Sequence, residues 1–583
     1  MDTTGEMTAP AVTLKMPPDR EVVAQIALDL ARLNANPGAE EALEAVRADI
    51  ETHGMSAYFY AAAQTLAAEQ ARAEQAEQVF SALGAEPAGV FPISGSQGRA
   101  RQTWLNCIGS PSAQPLQVFR PRSLADLRSI LQQAEASGCR VKAAGSGHSF
   151  TDVAVTRDFL IETHGLNRLL PLEREVLRPN AGLRTLFAVE AGITVRDLNE
   201  ALWKAKLGLV NMGGYDAQTI AGVVSTSTHG SGLAFGPLAS QVASMTIVSA
   251  GGRTIRVEPA GGITNPAAWA ARHPDIELKQ DDEWFHACLV SLGCMGVIYS
   301  VILRVRPRFF LKEERTLSTW TQVRQDLQDG RVLVENEHYE VLVNPYATRP
   351  GGDHTCLVTR RNEVPEPAAP PASLPRRNFF IEMIASIPGQ NLALLAALNA
   401  FPAFTPNIID EAMRAIQGVY IDRSYRVFNI GAANEVPAYG SEIGFTMERY
   451  LSAVERILQI AGQRQAVGQA YLNAPFSLRF VKESPAHLSM MQGADTCMIE
   501  FISLDRTIGG REILQEIESE MYAFGGRPHW GLLNFISGAG GLVEAMYPLL
   551  PRWRAVRAEL DPHGRFASPF SERCGLTPRQ FVR

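Results

Sequence analysis

The segment from Asn211 to Gly232, NMGGYDAQTIAGVVSTSTHGSG, constrains this chain more than any other stretch. Gly213, Gly214, Gly222, Gly230 and Gly232 strip side chains away, so the backbone can lie against something flat and large. The hydroxyls of Thr219, Ser225, Thr226 and Thr228 suit the polar edge of such a ligand. A Gly/Ser-rich surface loop is the plain alternative, but a solvated loop has no use for the Ile and Val of Thr219–Val224. Two further glycine-rich turns adjoin strand patterns. AAGSGHS, residues 143–149, follows a short strand over Arg140–Ala144, and SLGCMGVI, residues 291–298, runs into the alternating strand Val297–Val305. Two glycines after a strand aim several N–H groups at one point, which is how a pyrophosphate is held. A lone Gly-x-Gly is equally an ordinary tight turn, and the third glycine and following helix of the Rossmann fingerprint are missing.

Strand and helix patterns alternate from about residue 113. Ser123 to Asp126 form a capping-box signal for a helix that stops at Gly138. Phe187–Ala191 follows as a strand, then a helix over Thr194–Lys204 with Gly208 as its stop. Upstream, Val22–Leu33, Ala42–Ile50 and Ala57–Leu83 carry apolar positions at helical spacing, and Gly84–Gln97 has the composition of a linker. The expected organisation is a helical extension over 1–95, domains over 96–310 and 311–545, and a C-terminal segment over 546–583.

Hydrophobic residues make up 46% of the 583 and charged residues 20%, which suits packed cores rather than disorder. Basic residues number 54 against 61 acidic, a net charge of −7, so nucleic acid is set aside as a partner. The seven cysteines form no C-x-x-C pair and no cluster with histidine. Neither a disulfide framework nor a metal site is expected, and a reducing, cytoplasmic setting is. The opening MDTTGEMTAP lacks the features of a secretory signal. The longest apolar stretch, Asn391 to Phe404, contains Pro402 and is too short to span a bilayer, so membrane association is not expected.

In this order and spacing, the three glycine-rich segments resemble the FAD-linked oxidases of the vanillyl-alcohol oxidase superfamily, in particular its sugar-1,4-lactone and alditol oxidase branch. Trp104-Leu-Asn106 is similar to that branch's opening Trp-Asn motif, Arg527-Pro-His-Trp-Gly531 to its HWGK motif, and Asp561-Pro-His-Gly-Arg-Phe566 to its DP-x-G-x-F tail. The resemblance implies an α+β fold: a two-part FAD-binding domain of the PCMH type, an α+β substrate or cap domain, and the N-terminal helical extension added to both. It implies FAD as cofactor, with contacts at Ala144, Gly145, Ser146, Gly147, His148, Ser149, Gly213, Gly214, Thr219, Gly222, Thr226, Ser227, Thr228, His229, Val297 and Ile298. His148 stands where many members bond the flavin 8α-methyl covalently; where FAD is held non-covalently, the same residue only bonds its own loop. Gly213 matches the gatekeeper position beside the flavin ring, where glycine leaves oxygen a path, although glycine equally serves a turn.

The substrate face departs from these relatives. The branch's Glu-x-Arg pair is Ser477-Leu-Arg479 here, the HWGK lysine is Leu532, and Glu500 occupies a strand position that carries histidine in the alditol oxidases. Arg479 either faces substrate or pairs with Glu483 at a strand edge. Glu500 shares a face with Met498 and Ile502, so it is either buried and paired or lines a pocket. His529 either takes part in the chemistry or orients the flavin.

The expectation is an FAD-dependent alcohol oxidase acting on a hydroxylated small molecule, with dioxygen as electron acceptor and hydrogen peroxide as product. Arg479 and His529 stabilise the reacting groups, and Glu500 or His529 accepts the hydroxyl proton. A dehydrogenase of the same fold using a quinone or protein acceptor, and a flavin-binding protein without turnover, are the alternatives. An unmatched buried hydroxyl costs ~1–3 kcal/mol. Loss of the glutamate and lysine, with the apolar residues Phe379, Phe380, Met383, Leu394, Leu395, Leu398, Phe401 and Phe404, therefore predicts a substrate less polar than a polyol. Those apolar residues equally suit the cap's own core.

Overall fold

Ser123 starts a helix for a local reason: its hydroxyl accepts the Asp126 N–H at 3.1 Å, filling one of the donors that a helix start leaves open. The helix, Leu124–Ser137, stops at Gly138 (φ 71°), whose N–H closes on the carbonyls of Ala134 and Glu135. The Asp126 carboxylate does not complete the expected box, because it accepts the Arg122 N–H instead. Thr194 caps Val195–Lys204 in the same way. That helix ends at Lys204, Lys206 (φ 61°) turns the chain, and Gly208 lies in a two-residue strand paired with Arg306–Pro307.

The computed structural model describes residues 99–100 and 103–579 apart from 350, 368–397, 400–401, 431–437 and 469–470, together with Gln25, Ala45 and Ala48. Apart from those last three residues, the expected extension and linker lie outside the described residues, as do Phe379, Phe380, Met383, Leu394, Leu395 and Phe401. The chain divides into two compact units, 1–88 with 384–405, and 89–383 with 406–583. The second holds everything that follows.

Three sheets organise it. A four-stranded sheet runs in the order Arg99–Ala100, Gln117–Phe119, Phe159–Glu162, Val141–Ala144. A six-stranded sheet runs Glu277–Gln280, Thr254–Glu258, Val242–Val248, Val297–Arg304, Leu186–Glu190, Leu169–Leu170. The strands expected at 140–144, 187–191 and 297–305 appear within one residue, at Val141–Ala144, Leu186–Glu190 and Val297–Arg304. Val242–Val248 is buried along its whole length, as a strand covered on both faces must be. The largest sheet has eight strands, in the order Gly418–Arg423, Phe310–Thr319, His354–Val364, His338–Ala347, Phe476–Val481, Thr496–Leu504, Ala438–Thr446, Arg527–Pro528.

The C-terminal segment returns to the smaller sheets. Trp553, Val556, Leu560 and Phe570 join the core that contains Met245, Val301 and Leu303 of the six-stranded sheet. Trp553 also donates its indole N–H to the Val290 carbonyl at 3.1 Å. Asp561, fully buried, accepts the N–H groups of Arg565 and Phe566 at 2.7 and 3.0 Å. That turn presents the Arg565 carbonyl to the Val141 N–H at 2.7 Å, tying the chain end to the strand that feeds residues 145–149. The large sheet is tied on by the Gly232 N–H to Phe480 O at 2.7 Å and the Phe150 N–H to Gly531 O at 2.8 Å. Both ties sit at glycine-rich positions, so sheet assembly and site assembly are one event.

Candidate active site

A cleft opens between the glycine-rich segments and the turn after Pro528. Its walls meet with no space to spare. A Cβ on Gly145 would stand 2.1 Å from Thr219 Oγ1. That hydroxyl in turn caps the helix Ile220–Ser225 by accepting the Gly222 N–H. The Trp104–Asn106 motif fixes the first loop from behind: Asn106 donates to the Ser149 carbonyl at 3.0 Å, and the Cys107 N–H to the Gly147 carbonyl at 2.9 Å. A dinucleotide fits this lining of small loop residues and the Thr226 and Thr228 hydroxyls, in a cleft that glycines keep open.

Twelve of the expected cofactor residues line the cleft: Ala144, Gly145, Ser146, Gly147, His148, Ser149, Thr219, Gly222, Thr226, Thr228, Val297 and Ile298. Four are not in its wall: Gly213, Gly214, Ser227 and His229. Ser227 is fully buried and bonds the Ser489 hydroxyl at 2.8 Å. Gly214 packs against Ile430, whose side chain a Cβ would meet at 2.9 Å. Gly213 lies behind Thr228, since its Cβ would stand 3.1 Å from Thr228 Cγ2 and 3.3 Å from the His229 carbonyl. Close packing is thus reason enough for a glycine there. His229 turns away to the large sheet. His148 is partly buried beside Tyr215, ring centroids 6.0 Å apart, and burial lowers its pKa, keeping the imidazole neutral.

The large sheet brings the other candidates together. Its register sets Ser477 opposite Glu500 and Glu500 opposite Glu442, with Glu340 opposite Arg479 in the next row. Two carboxylates directly opposite each other repel, so the row needs a cation. Arg479 supplies it, 2.8 Å from Glu500, 3.0 Å from Glu340 and 3.7 Å from Glu442. The strand-edge pairing with Glu483 does not form. Arg479 and Glu500 lie beside the cleft rather than in its wall. A Cβ on Gly440 would be 3.7 Å from both Glu500 Oε1 and Leu532, and Leu532 lines the cleft. Glu442 and Glu340 escaped the sequence reading because no motif marks them; Tyr439-Gly-Ser-Glu442 reads as a plain strand.

His529 lines the cleft, placed by its N–H bond to the Glu442 carbonyl at 2.8 Å. Its Nδ1 accepts the Gly531 N–H at 3.1 Å, so in the neutral ring the proton sits on Nε2. Burial lowers its pKa to about 4, and the neutral ring is therefore a donor at Nε2. In this state Nε2 of His529 offers the cleft a donor rather than an acceptor. His229 Nδ1 faces the Gly230 carbonyl at 2.9 Å and Nε2 faces Glu442 at 3.2 Å. Burial pushes the Glu442 carboxyl up, but His229, His529 and Arg479 together hold it down at about 2. Glu500 moves the other way: burial raises its pKa, Arg479 offsets part of this, and Glu442 and Glu340 add to it.

A family model described as an FAD binding domain matches residues 115–258, and one described as D-arabinono-1,4-lactone oxidase matches residues 301–574. The chain is 29% identical over 477 residues to the L-gulono-1,4-lactone dehydrogenase of Mycobacterium tuberculosis, covering 81% of this chain and 98% of the relative. It is 26% identical over 491 residues to the L-gulonolactone oxidase of Bos taurus, covering 82% and 99%. Among solved structures, a cholesterol oxidase from B. sterolicum superposes with a TM-score of 0.63 at 16% identity, covering 84% of this chain and all of that one, a likeness of fold. Among the described residues, no helix is long and apolar enough to cross a membrane.

Gly145→Ala drives a methyl group into the cap of the neighbouring helix. In the His148→Ala background, where no covalent bond can retain the flavin, it is expected to weaken FAD retention at least tenfold, about 1.4 kcal/mol, as measured by the flavin-to-protein ratio after extensive dialysis with folding checked by circular dichroism. Full retention would show that the two loops separate without cost.

Proposed function

We propose, on the premise that this chain belongs to the sugar-1,4-lactone branch of the FAD-linked vanillyl-alcohol oxidase superfamily, that it oxidises a CH–OH carbon of a sugar lactone or a closely similar hydroxylated molecule. One observation carries the reading: His529, Glu500 and Arg479 converge beside the cleft that the FAD-binding segments line. FAD, when bound, supplies the hydride acceptor and the redox couple. The chain supplies the proton chemistry. Arg479 holds Glu500 Oε2 at 2.8 Å, leaving Oε1 on the Leu532 side to accept the hydroxyl proton. A carboxylate whose pKa is raised is a better base than an ordinary one. His529 donates from Nε2 to an oxygen in the cleft and fixes its orientation.

The branch's missing glutamate is replaced from the next strand. Ser477 pairs directly with Glu500, so a carboxylate remains at this point of the sheet. The expectation of a substrate less polar than a polyol finds no support in this arrangement, and most of the apolar segment that motivated it lies outside the described residues. Leu532 and Phe150, both close to the Gly440 position, offer an apolar patch for ring carbons beside the charged one. Dioxygen is the proposed acceptor, as the names of the oxidase relatives suggest.

L-Gulono-1,4-lactone or D-arabinono-1,4-lactone should bleach the bound flavin under anaerobic conditions, and air should restore it with one peroxide per turnover. No bleaching by either lactone would defeat the substrate class. Bleaching followed by reoxidation only with a quinone or dye would make the protein a dehydrogenase.

Glu500→Gln should slow anaerobic flavin reduction by about 100-fold or more while leaving flavin content intact. Glu500 must be ionised to act, so the wild-type rate should fall as pH drops through a pKa above the ordinary 4.5 for glutamate. That acid limb should vanish in the variant; an unchanged limb would assign it to another group.

His148 is proposed as the covalent anchor, because it presents a neutral imidazole on the cleft wall. Acid-precipitated wild type should stay yellow, and His148→Ala should release its flavin to the supernatant. Release from wild type would make the attachment non-covalent.

A further inference from the structure

We propose that Lys142 is the buried counter-charge of the cofactor's diphosphate and acts through the Leu292–Gly293 peptide; this rests on the reading that the cleft holds FAD. Lys142 lies one strand residue from the expected phosphate loop, on Val141–Ala144, and is 1% exposed. Its ammonium donates to the carbonyls of Leu292 at 2.9 Å and Gly293 at 3.2 Å. Among the described residues it has no carboxylate within 4 Å. The nearest charges in its field are already matched, Asp561 by Arg557 and two backbone N–H groups, and Asp152 by Arg573 at 2.9 Å. Cys294 adds no anion, because burial raises its pKa. A fully buried ammonium without an ionic partner is costly, and such charges are retained where something pairs with them.

The peptide geometry says where that partner is. Leu292 and Gly293 both adopt positive φ, 52° and 64°. For a leucine this conformation is unfavourable and must be held by its surroundings. The two Lys142 bonds hold it. A trans peptide sets its C=O and N–H antiparallel, so the Leu292 carbonyl aimed at Lys142 turns the Gly293 N–H away from it. Among the described residues that N–H has no hydrogen-bond partner, whereas the neighbouring Leu292 and Cys294 N–H groups bond Ser225 and Ser291 carbonyls. Lys142, Leu292, Gly293 and Gly296 all border the cleft. A free N–H, backed by a cation on the far side of the same peptide, is a site for an anion. The diphosphate is the anionic part of the dinucleotide and the loop beside Lys142 is the expected phosphate loop. Lys142 is thus a positioning and charge-balancing residue, not a catalytic one.

The test uses the full-length His148→Ala chain, which cannot bond the flavin covalently and serves as the wild-type reference here, produced flavin-free and titrated with FAD, ADP and riboflavin by calorimetry, with thermal melts as the folding control. Lys142→Met is expected to weaken FAD and ADP tenfold or more and leave riboflavin within twofold. It should also flatten the salt dependence of FAD binding. Lys142→Arg, which keeps the charge, is expected to hold ADP within about threefold of wild type, and it carries the test if the methionine variant does not fold. FAD and ADP affinities unchanged in folded Lys142→Met, or equal loss for all three ligands, would overturn the proposal and leave Lys142 a loop brace. So would loss of ADP binding in folded Lys142→Arg. Folded wild type that binds none of the three would instead defeat the FAD reading itself.

Discussion

Arg479 lies among three carboxylates that the sheet register brings within 4 Å of it, and the substrate side of the site depends on that arrangement. Glu442 and Glu340 are 3% and 8% exposed, so neither charge can be left to water. The same logic continues outward along the sheet. Glu340 is shared with Arg361 at 3.0 Å, Arg361 holds Glu313 at 2.6 Å, and Glu313 also meets Arg315 at 3.0 Å. Removing one partner from such a buried pair costs ~3–5 kcal/mol, because the other charge is left uncompensated. The chain of alternating charges therefore fixes side-chain positions that the strands alone would leave free. Arg479 holds Glu500 Oε2, while burial and then the neighbouring carboxylates raise the pKa of Glu500 against the pull of Arg479.

The cofactor side works by a different constraint, absence of volume. Gly145 and Thr219 approach so closely that no side chain fits, and the helix cap at Thr219 is part of that contact. A helix cap, a phosphate loop and a cleft wall are thereby one structure. The first loop is further clamped by Asn106 from upstream, by the Gly531 carbonyl on Phe150, and by Thr151 on the Trp530 carbonyl at 3.1 Å. Residues 379 and 381 positions apart in sequence thus share hydrogen bonds. Their joint presence in one chain has a physical reason beyond separate contacts to a ligand.

The two halves meet at His529. Its backbone N–H belongs to the large sheet through Glu442, while its side chain stands in the cofactor cleft near Thr226. The Gly531 N–H on Nδ1 decides the tautomer, which makes the ring a donor toward the cleft. The proposed division of labour follows from the surroundings: the carboxylate beside Arg479 is the candidate proton acceptor, and the neutral imidazole the candidate hydrogen-bond donor. Two groups that the sequence offered as interchangeable proton acceptors differ once their partners are known.

Much of this was legible in the residue order. Capping residues Ser123 and Thr194, the alternation of Val297–Arg304, and the glycines at 145, 147 and 222 are local signals, because short-range sterics and hydrogen bonding write them into neighbouring residues. The glycine-rich segments and the turn at His529 likewise announced a flavin-type cleft, since ligand-facing loops must be built from contiguous small and polar residues. What depended on register was not legible. Whether Arg479 pairs with Glu483 or with Glu340 and Glu500, and whether the missing glutamate is replaced, turns on which strands lie side by side. Glu442 sits in an unmarked strand and Lys142 in a buried one, and each matters through partners 150 or more residues away or on another strand. Gly213 and Ser227 depend on packing as well: their types match a binding loop, and contacts with Thr228 and Ser489 set them behind the cleft wall. The sequence by itself determined which segments can wrap a cofactor, because that is a property of local backbone freedom. Only the tertiary structure decided which charges meet and which ring nitrogen keeps its proton, because those follow from contacts between strands distant in the chain.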